Sequence, residues 1–102
     1  MKAILDLDTG IDDALALAYA IAHPDLDLIG VTCTYGNVTV PLAVRNTLAL
    51  LELLGQDDIP VFVGPSPDGF RPSEISSFIH GHNGVGEVLL PPATTQAQSQ
   101  PA

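Results

Sequence analysis

The sequence predicts an α/β fold with an open parallel sheet, built in the order strand, helix, strand, helix, strand. Short apolar runs of strand length, at 2–7, 27–34 and 59–63, alternate with longer segments of helix-forming residues at 12–22 and 40–54. Pro and Gly residues punctuate the junctions between them. Strands that alternate with helices in this way pair in parallel through right-handed crossovers.

The first half of the chain contains a strand, a helix and a second strand. Residues 12–22 are good helix formers, and acids occupy the first turn, where the helix dipole favours negative charge. His23-Pro24 ends this helix, because Pro disfavours helical backbone at the preceding residue. The run LDLIGVTCT at 26–34 is nearly continuously apolar and rich in β-branched residues. It predicts a strand covered on both faces.

A second helix and a third strand complete the predicted sheet. Thr39 is expected at the N-cap, Pro41 suits the first turn, and Gly55 closes the helix. The run IPVFV at 59–63 follows as a strand. The result is a Rossmann-like alternation, although three strands make a thin sheet for independent stability.

The sequence divides into a predicted domain at 1–91 and a low-complexity tail or shortened loop at 92–102. After Gly64, Pro and Gly residues predict a long loop, which leads to HGHNGVG at 80–86. The closing stretch PPATTQAQSQPA is rich in Pro, Ala, Gln, Ser and Thr and has no folding pattern.

Composition and charge exclude several classes of partner. Twelve acidic residues against three basic ones give a formal net charge of −9 at pH 7. Such a surface repels nucleic acid and anionic membranes, so neither is expected as a partner. The single cysteine, Cys33, excludes an intrachain disulfide and fits a reducing compartment. Because a strand is predicted directly after Met1, no signal peptide is expected, and a cytoplasmic location is the default expectation.

Four carboxylates lie within eight residues directly after the apolar run AIL at 3–5, namely Asp6, Asp8, Asp12 and Asp13. Ligands of open parallel sheets bind beyond the carboxyl ends of the strands, where these acids and Asn37 are expected to meet. Carboxylates this close repel one another unless a proton, a cation or bulk water offsets their charge. A hard divalent cation is therefore the predicted occupant.

Each acid also has a structural explanation. Asp12 suits a helix cap, Asp13 favours the helix dipole, and Asp6 and Asp8 suit a solvated turn. These explanations account for any one Asp more readily than for all four together. Gly10 permits the tight turn that would gather them.

Three motifs resemble those of the inosine–uridine-preferring nucleoside hydrolases. DLDTGIDDALA at 6–16 is similar to that family's opening signature, DxDxGxDDAxA. The second strand ends in Thr32-x-x-x-Gly36-Asn37, and HGHNGVG at 80–86 resembles the family's HGxxGxG segment. The motifs occur in the family's order, and the resemblance covers residues 3 to about 91. It implies that the chain is the N-terminal part of a nucleoside hydrolase fold.

The resemblance also implies a site and a reaction. Asp8 would bind Ca²⁺ and act as the general base, and Asp13 would be a second calcium ligand. Asp12 and Asn37 would hold the ribose, and His80 would contact the substrate, whereas His82 stands at a variable position of the loop. The reaction would be calcium-dependent hydrolysis of the N-glycosidic bond of a ribonucleoside, to ribose and free base.

Other interpretations remain open. The family's enzymes are about three times this length and have further ligands in their later portion, so the isolated chain is expected to be weak or inactive. The alternative is a non-catalytic, truncated fragment that self-associates or binds metal weakly. Haloacid-dehalogenase-like phosphatases also open with Asp-x-Asp, but there the order is Asp-x-Asp-Gly-Thr. Apolar surface left by the thin sheet predicts a homo-oligomer.

Overall fold

The computed structural model describes residues 1–36, 38–65 and 95–99, and within them confirms the α/β class. The elements, in chain order, are β1 (Lys2–Leu7), α1 (Ile11–Ala22), β2 (Asp27–Cys33), α2 (Val40–Leu53) and β3 (Val61–Val63). β3 begins two residues later than the apolar run predicts. Pro60 has no amide proton for the ladder, although its carbonyl still accepts a hydrogen bond from Val31 N–H at 3.0 Å.

The three strands form one parallel sheet in the order β1-β2-β3. The register pairs Leu7 with Cys33 and Cys33 with Val63, so the carboxyl ends of all three strands lie at one edge. An irregularity between Ala3 and Ile4 shifts the register against β2 by one residue. Sequential strand order with right-handed crossovers places α1 and α2 on the same face of the sheet.

The core lies between that face and the two helices. Leu17 of α1, Val31 of β2 and Leu51 of α2 are almost completely buried. Within the described ranges the opposite face of the sheet is open: Ile4 is 63% exposed and Ile29 is 44% exposed. The expectation that β2 is covered on both faces is therefore wrong for this part of the chain, because both crossovers run on one side.

The helix ends follow the sequence signals only in part. Gly10 is the N-cap of α1 and Thr39 is the N-cap of α2, but neither helix has a side-chain capping hydrogen bond. Gly55, just beyond α2, has a positive φ of 74°, which glycine adopts without steric cost. In the described residues, no helix is both long and apolar enough to cross a membrane. Gln98 N–H donates to the Val61 carbonyl at 2.8 Å, which ties residues 95–99 to β3.

Candidate active site

The candidate site lies at the carboxyl edge of the sheet, where hydrogen bonds join the ends of the three strands. Thr34 N–H donates to the Leu7 carbonyl at 2.8 Å, and Gly64 N–H donates to the Cys33 carbonyl at 2.8 Å. The chain leaves β1 at this edge and enters α1 through residues 8–10. Side chains on this short turn are therefore held against the strand ends.

Asp8 and Asp13 meet across the turn. The Asp8 backbone N–H donates to Asp13 Oδ2 at 3.2 Å, and a hydrogen bond also joins the two carboxyl groups. Burial, then this hydrogen bond, then the charges of Asp8 and Asp12, raise the pKa of Asp13 from 3.8 to about 7. A backbone hydrogen bond from Gly10 acts in the opposite direction. The pair therefore concentrates negative charge and retains a proton near neutral pH.

The residue between these acids has an unusual backbone conformation. Thr9 has a φ of 31°, in the region that favours glycine, and its side chain is fully buried. A non-glycine residue held there costs about 1–3 kcal/mol, so the surroundings must impose the conformation. Thr9 Oγ1 lies 2.8 Å from Thr47 Oγ1 of α2, and either hydroxyl can donate. Cys33 Sγ donates to Thr47 Oγ1 at 3.5 Å.

Gly36, in the loop after β2, packs against the Asp8 carboxyl group. A Cβ added at this glycine would overlap Asp8 Oδ2 and crowd Cγ and Cβ of the same side chain. The absence of a side chain at position 36 therefore makes room for the carboxylate. The loop after β2 thus packs against the side chain of Asp8, which follows β1.

Not all of the predicted acids join the pair. Asp12 is exposed on the first turn of α1, yet lies near enough to raise the pKa of Asp13 by charge repulsion. Asp6 accepts a hydrogen bond from Thr32 Oγ1 at 2.6 Å, across β1 and β2. Asn37, His80 and His82 lie outside the described residues. The structure thus brings Asp8, Asp12 and Asp13 to one turn and gives Asp6 a partner on the neighbouring strand.

The turn offers few ligands for a metal ion. Over 1–36, 38–65 and 95–99, no group of three or more His, Cys, Asp or Glu side chains is arranged to hold one. Asp8 and Asp13 nevertheless supply adjacent carboxylate oxygens, the ligands that hard cations prefer. The described part of the chain thus supplies part of the oxygen ligand set that a hard divalent cation requires.

Sequence reasoning missed two residues of this site. Thr9 lies in the turn and Thr47 lies in α2, and no sequence motif assigns either to the site, yet they join the turn to α2. A Thr-Gly pair after the acids is a weak signal for a strained turn. No local pattern marks Thr47, because its contact with Thr9 spans 38 residues.

Comparison with known proteins identifies the family. A sequence model of the inosine-uridine preferring nucleoside hydrolases matches residues 3–102. The chain belongs to this family. That match confirms the resemblance carried by the opening acids. The family assignment covers nearly the whole sequence, including 92–102.

Related sequences and structures agree with the assignment to the nucleoside hydrolases. The chain is 69% identical over 88 residues to an uncharacterised protein of Corynebacterium ammoniagenes, covering 86% of this chain and 96% of that protein. It is 41% identical over 103 residues to uridine nucleosidase 1 of Arabidopsis thaliana, covering 99% of this chain and 30% of that one. The purine-preferring ribonucleoside hydrolase from Gardnerella vaginalis superimposes with a TM-score of 0.96 at 47% identity, covering 100% of this chain and 34% of the other. The chain thus spans about a third of the length of these two enzymes.

Proposed function

We propose that this nucleoside hydrolase chain provides the carboxylate part of a site that hydrolyses the N-glycosidic bond of ribonucleosides, to ribose and free base. The observation that carries the proposal is the hydrogen bond from the Asp8 N–H to Asp13 Oδ2, which holds the two acids together at the carboxyl edge of the sheet. Relatives named uridine nucleosidase and purine-preferring ribonucleoside hydrolase support the reaction class.

Calcium is the proposed cofactor, and Asp8 and Asp13 are the residues that would hold it. Their adjacent oxygens suit a hard cation. Burial is the main cause of the raised pKa of Asp13, and the charges of Asp8 and Asp12, which a cation would offset, add to it. When bound, calcium would lower the pKa of a water molecule and so ease its deprotonation. Two carboxylates leave most of the coordination sphere to water, substrate and other ligands.

Asp8 is the proposed general base. Its carboxylate would accept a proton from the attacking water as the bond between ribose and base breaks. Positive charge then develops on the ribose, and the negative charges of the turn would stabilise it electrostatically. Asp12, exposed beside the pair, would accept a hydrogen bond from a ribose hydroxyl. Asn37 and His80 complete the proposed substrate contacts.

The isolated 102-residue chain is proposed to bind calcium weakly and to have little or no hydrolytic activity. The described residues bring together only two metal-ligating carboxylates, too few to saturate the ion. The alternative is a non-catalytic fragment that self-associates or binds metal weakly. In that case the same two carboxylates would bind the cation without completing a reaction site.

Self-association is proposed from the apolar surface of α1. Ile11, Leu15 and Tyr19 follow one another at four-residue spacing and are all exposed, with Leu15 at 69% and Tyr19 at 68%. Such a stripe favours contact with a second copy of the chain. A cytoplasmic location also belongs to the proposal, supported by a single cysteine that is buried and unpaired.

The test is an assay of the chain and of a chimera. In the chimera, these 102 residues replace the matching third of the Gardnerella vaginalis hydrolase, so that the remaining ligands are present. Both proteins receive inosine, uridine and p-nitrophenyl riboside, with calcium or with a chelator. We expect calcium-dependent hydrolysis by the chimera and little by the chain.

Two variants of the chimera complete the test. Asp8→Asn should abolish most of the activity, whereas the matched control Asp57→Asn, an exposed acid before β3, should retain it. A folded chimera that is inactive on all three substrates, or one that Asp8→Asn leaves fully active, would contradict the proposed reaction or the role of Asp8.

A further inference from the structure

We propose that Thr47 is a positioning residue for the Asp8–Asp13 pair: its hydroxyl, presented from α2, holds Thr9 in the left-handed conformation that brings the two acids together. The inference deepens the proposed function, since it takes the pair to be the cation site. The hydroxyl of Thr47 lies against Thr9 and Cys33. It would act through the turn.

The backbone of Thr9 is strained. This β-branched residue has a φ of 31°, a conformation that such side chains rarely adopt, and it directly follows Asp8. Relaxation of Thr9 to an ordinary φ would change the path of the chain between Asp8 and α1. The hydrogen bonds that unite Asp8 with Asp13 depend on that path. The distance between the two carboxylates is therefore coupled to the backbone of Thr9.

The hydroxyl contact between Thr9 and Thr47 is buried. Thr9 and Thr47 are both fully buried, and their oxygens lie 2.8 Å apart. A buried hydroxyl that loses its partner costs the full desolvation free energy of that group. The contact between Thr9 and Thr47 is therefore costly to break. Because Thr47 Oγ1 accepts from the Cys33 thiol, its own proton is available for Thr9 Oγ1.

The sheet and α2 both anchor this contact. Cys33 is the last residue of the central strand, is fully buried, and accepts the Gly64 N–H at its carbonyl. Its thiol fixes Thr47 from the sheet, while α2 fixes Thr47 through the core. The turn is thus connected to both the sheet and the second helix. A displacement of the sheet or of α2 would therefore move Thr9 and, with it, Asp8 and Asp13.

The test compares three residues at position 47 in the full chain. Thr47→Val keeps the shape and removes the hydroxyl, whereas Thr47→Ser keeps the hydroxyl. One readout is the strong intraresidue cross-peak between the amide and Hα protons of Thr9, which is characteristic of positive φ. The other is a calcium titration followed by the amide signals of Asp8 and Asp13. Circular dichroism establishes that each variant is folded.

We expect Thr47→Val to lose the positive-φ signature and to bind calcium about tenfold more weakly, which corresponds to about 1.4 kcal/mol. Thr47→Ser should retain both properties. A folded Thr47→Val variant that keeps the signature and the affinity would overturn the inference. Equal losses in the Val and Ser variants would also overturn it, since the cause would then be packing.

Substitutions at Thr9 keep the inference testable where Thr47→Val does not fold. Thr9→Gly removes the hydroxyl but adopts positive φ without cost, whereas Thr9→Ala removes the hydroxyl and keeps the steric penalty. We expect Thr9→Gly to bind calcium more tightly than Thr9→Ala. Equal affinities of these two variants would contradict the role of the turn conformation.

The two readouts separate this inference from the proposed function. If the unchanged chain shows no calcium response, or if Asp8→Asn leaves that response intact, the cation site fails. The cross-peak of Thr9 still decides whether Thr47 holds the turn. If calcium binds through Asp8 but Thr47→Val has no effect on either readout, only the positioning role fails.

Discussion

The Asp8 carboxyl group lies against the backbone of Gly36, so closely that a Cβ at position 36 would overlap Asp8 Oδ2. The two residues belong to different loops, one following β1 and the other following β2. Parallel pairing brings these loops to the same edge of the sheet. The lack of a side chain at Gly36 is thus part of the geometry of the acid.

Gly36→Ala should therefore displace the Asp8 side chain or the loop. We expect a loss of about 1–3 kcal/mol in the free energy of unfolding, the usual range for an overpacked site. Calcium binding should weaken in parallel. The matched control is Gly30→Ala, whose Cβ would lie at an ordinary 3.5 Å from Phe62. Urea denaturation of both variants checks the prediction, and an equally large loss in Gly30→Ala would refute it.

The metal-free chain should become less stable as the pH rises from about 4 to about 7. The folded pKa of Asp13 is about 7, above its ordinary value of 3.8, so the folded state binds the extra proton in this window. The stabilisation is fully present below the ordinary pKa and is lost as the pH passes the folded pKa. Urea denaturation in the presence of a chelator measures the trend.

Asp13→Asn provides the control for this pH dependence. The amide cannot ionise but keeps an oxygen that can accept the Asp8 N–H. Its unfolding free energy should vary less with pH over the same window. An unchanged pH dependence in Asp13→Asn would show that another group is responsible.

Calcium affinity should increase with pH through the same range. A cation that binds Asp8 and Asp13 must displace the proton that the pair retains, so binding releases that proton below about pH 7. Calorimetry in two buffers with different ionisation enthalpies measures the release. Binding at pH 6 with no proton release would contradict the assignment of Asp13 as a ligand.

In the active chimera, Asp8→Ala should reduce kcat by about 10²–10⁴-fold, the range for loss of general acid–base catalysis. The same change also removes a metal ligand, but higher calcium should restore little activity, because the general base is still missing. Asp12→Ala should raise KM and also lower kcat, because contacts to the ribose help to hold the charged transition state. Steady-state kinetics with inosine and uridine distinguish the two patterns. If Asp8→Ala mainly raised KM and Asp12→Ala mainly lowered kcat, the roles proposed for Asp8 and Asp12 would be contradicted.

The exposed stripe on α1 should mediate self-association. Leu15→Lys places a charge in the middle of that stripe without disturbing the core, because Leu15 is 69% exposed. We expect light scattering to show a larger species for the unchanged chain and a smaller one for the variant. A monomeric unchanged chain at high concentration would contradict the proposal.

The sequence alone was sufficient for the order of elements and for the family. Apolar runs at 2–7 and 27–34 predicted β1 and β2 to within one residue at either end, because local hydrophobic patterning decides strand formation. The spacing of Asp8, Asp12 and Asp13 is also local, since a turn and one helical turn suffice to bring them together. That local spacing explains why the opening motif identified the nucleoside hydrolases.

Tertiary structure decided the rest. Local sequence grouped Asp6 with the other acids, but strand pairing gave it Thr32 as a hydrogen-bond partner. The contact of Thr9 with Thr47 and the fit of Gly36 against Asp8 join residues that are distant along the chain. Such contacts depend on how α2 packs on the sheet and on which strands are neighbours. Because hydrophobic periodicity carries no information on these pairings, only the assembled fold determines them.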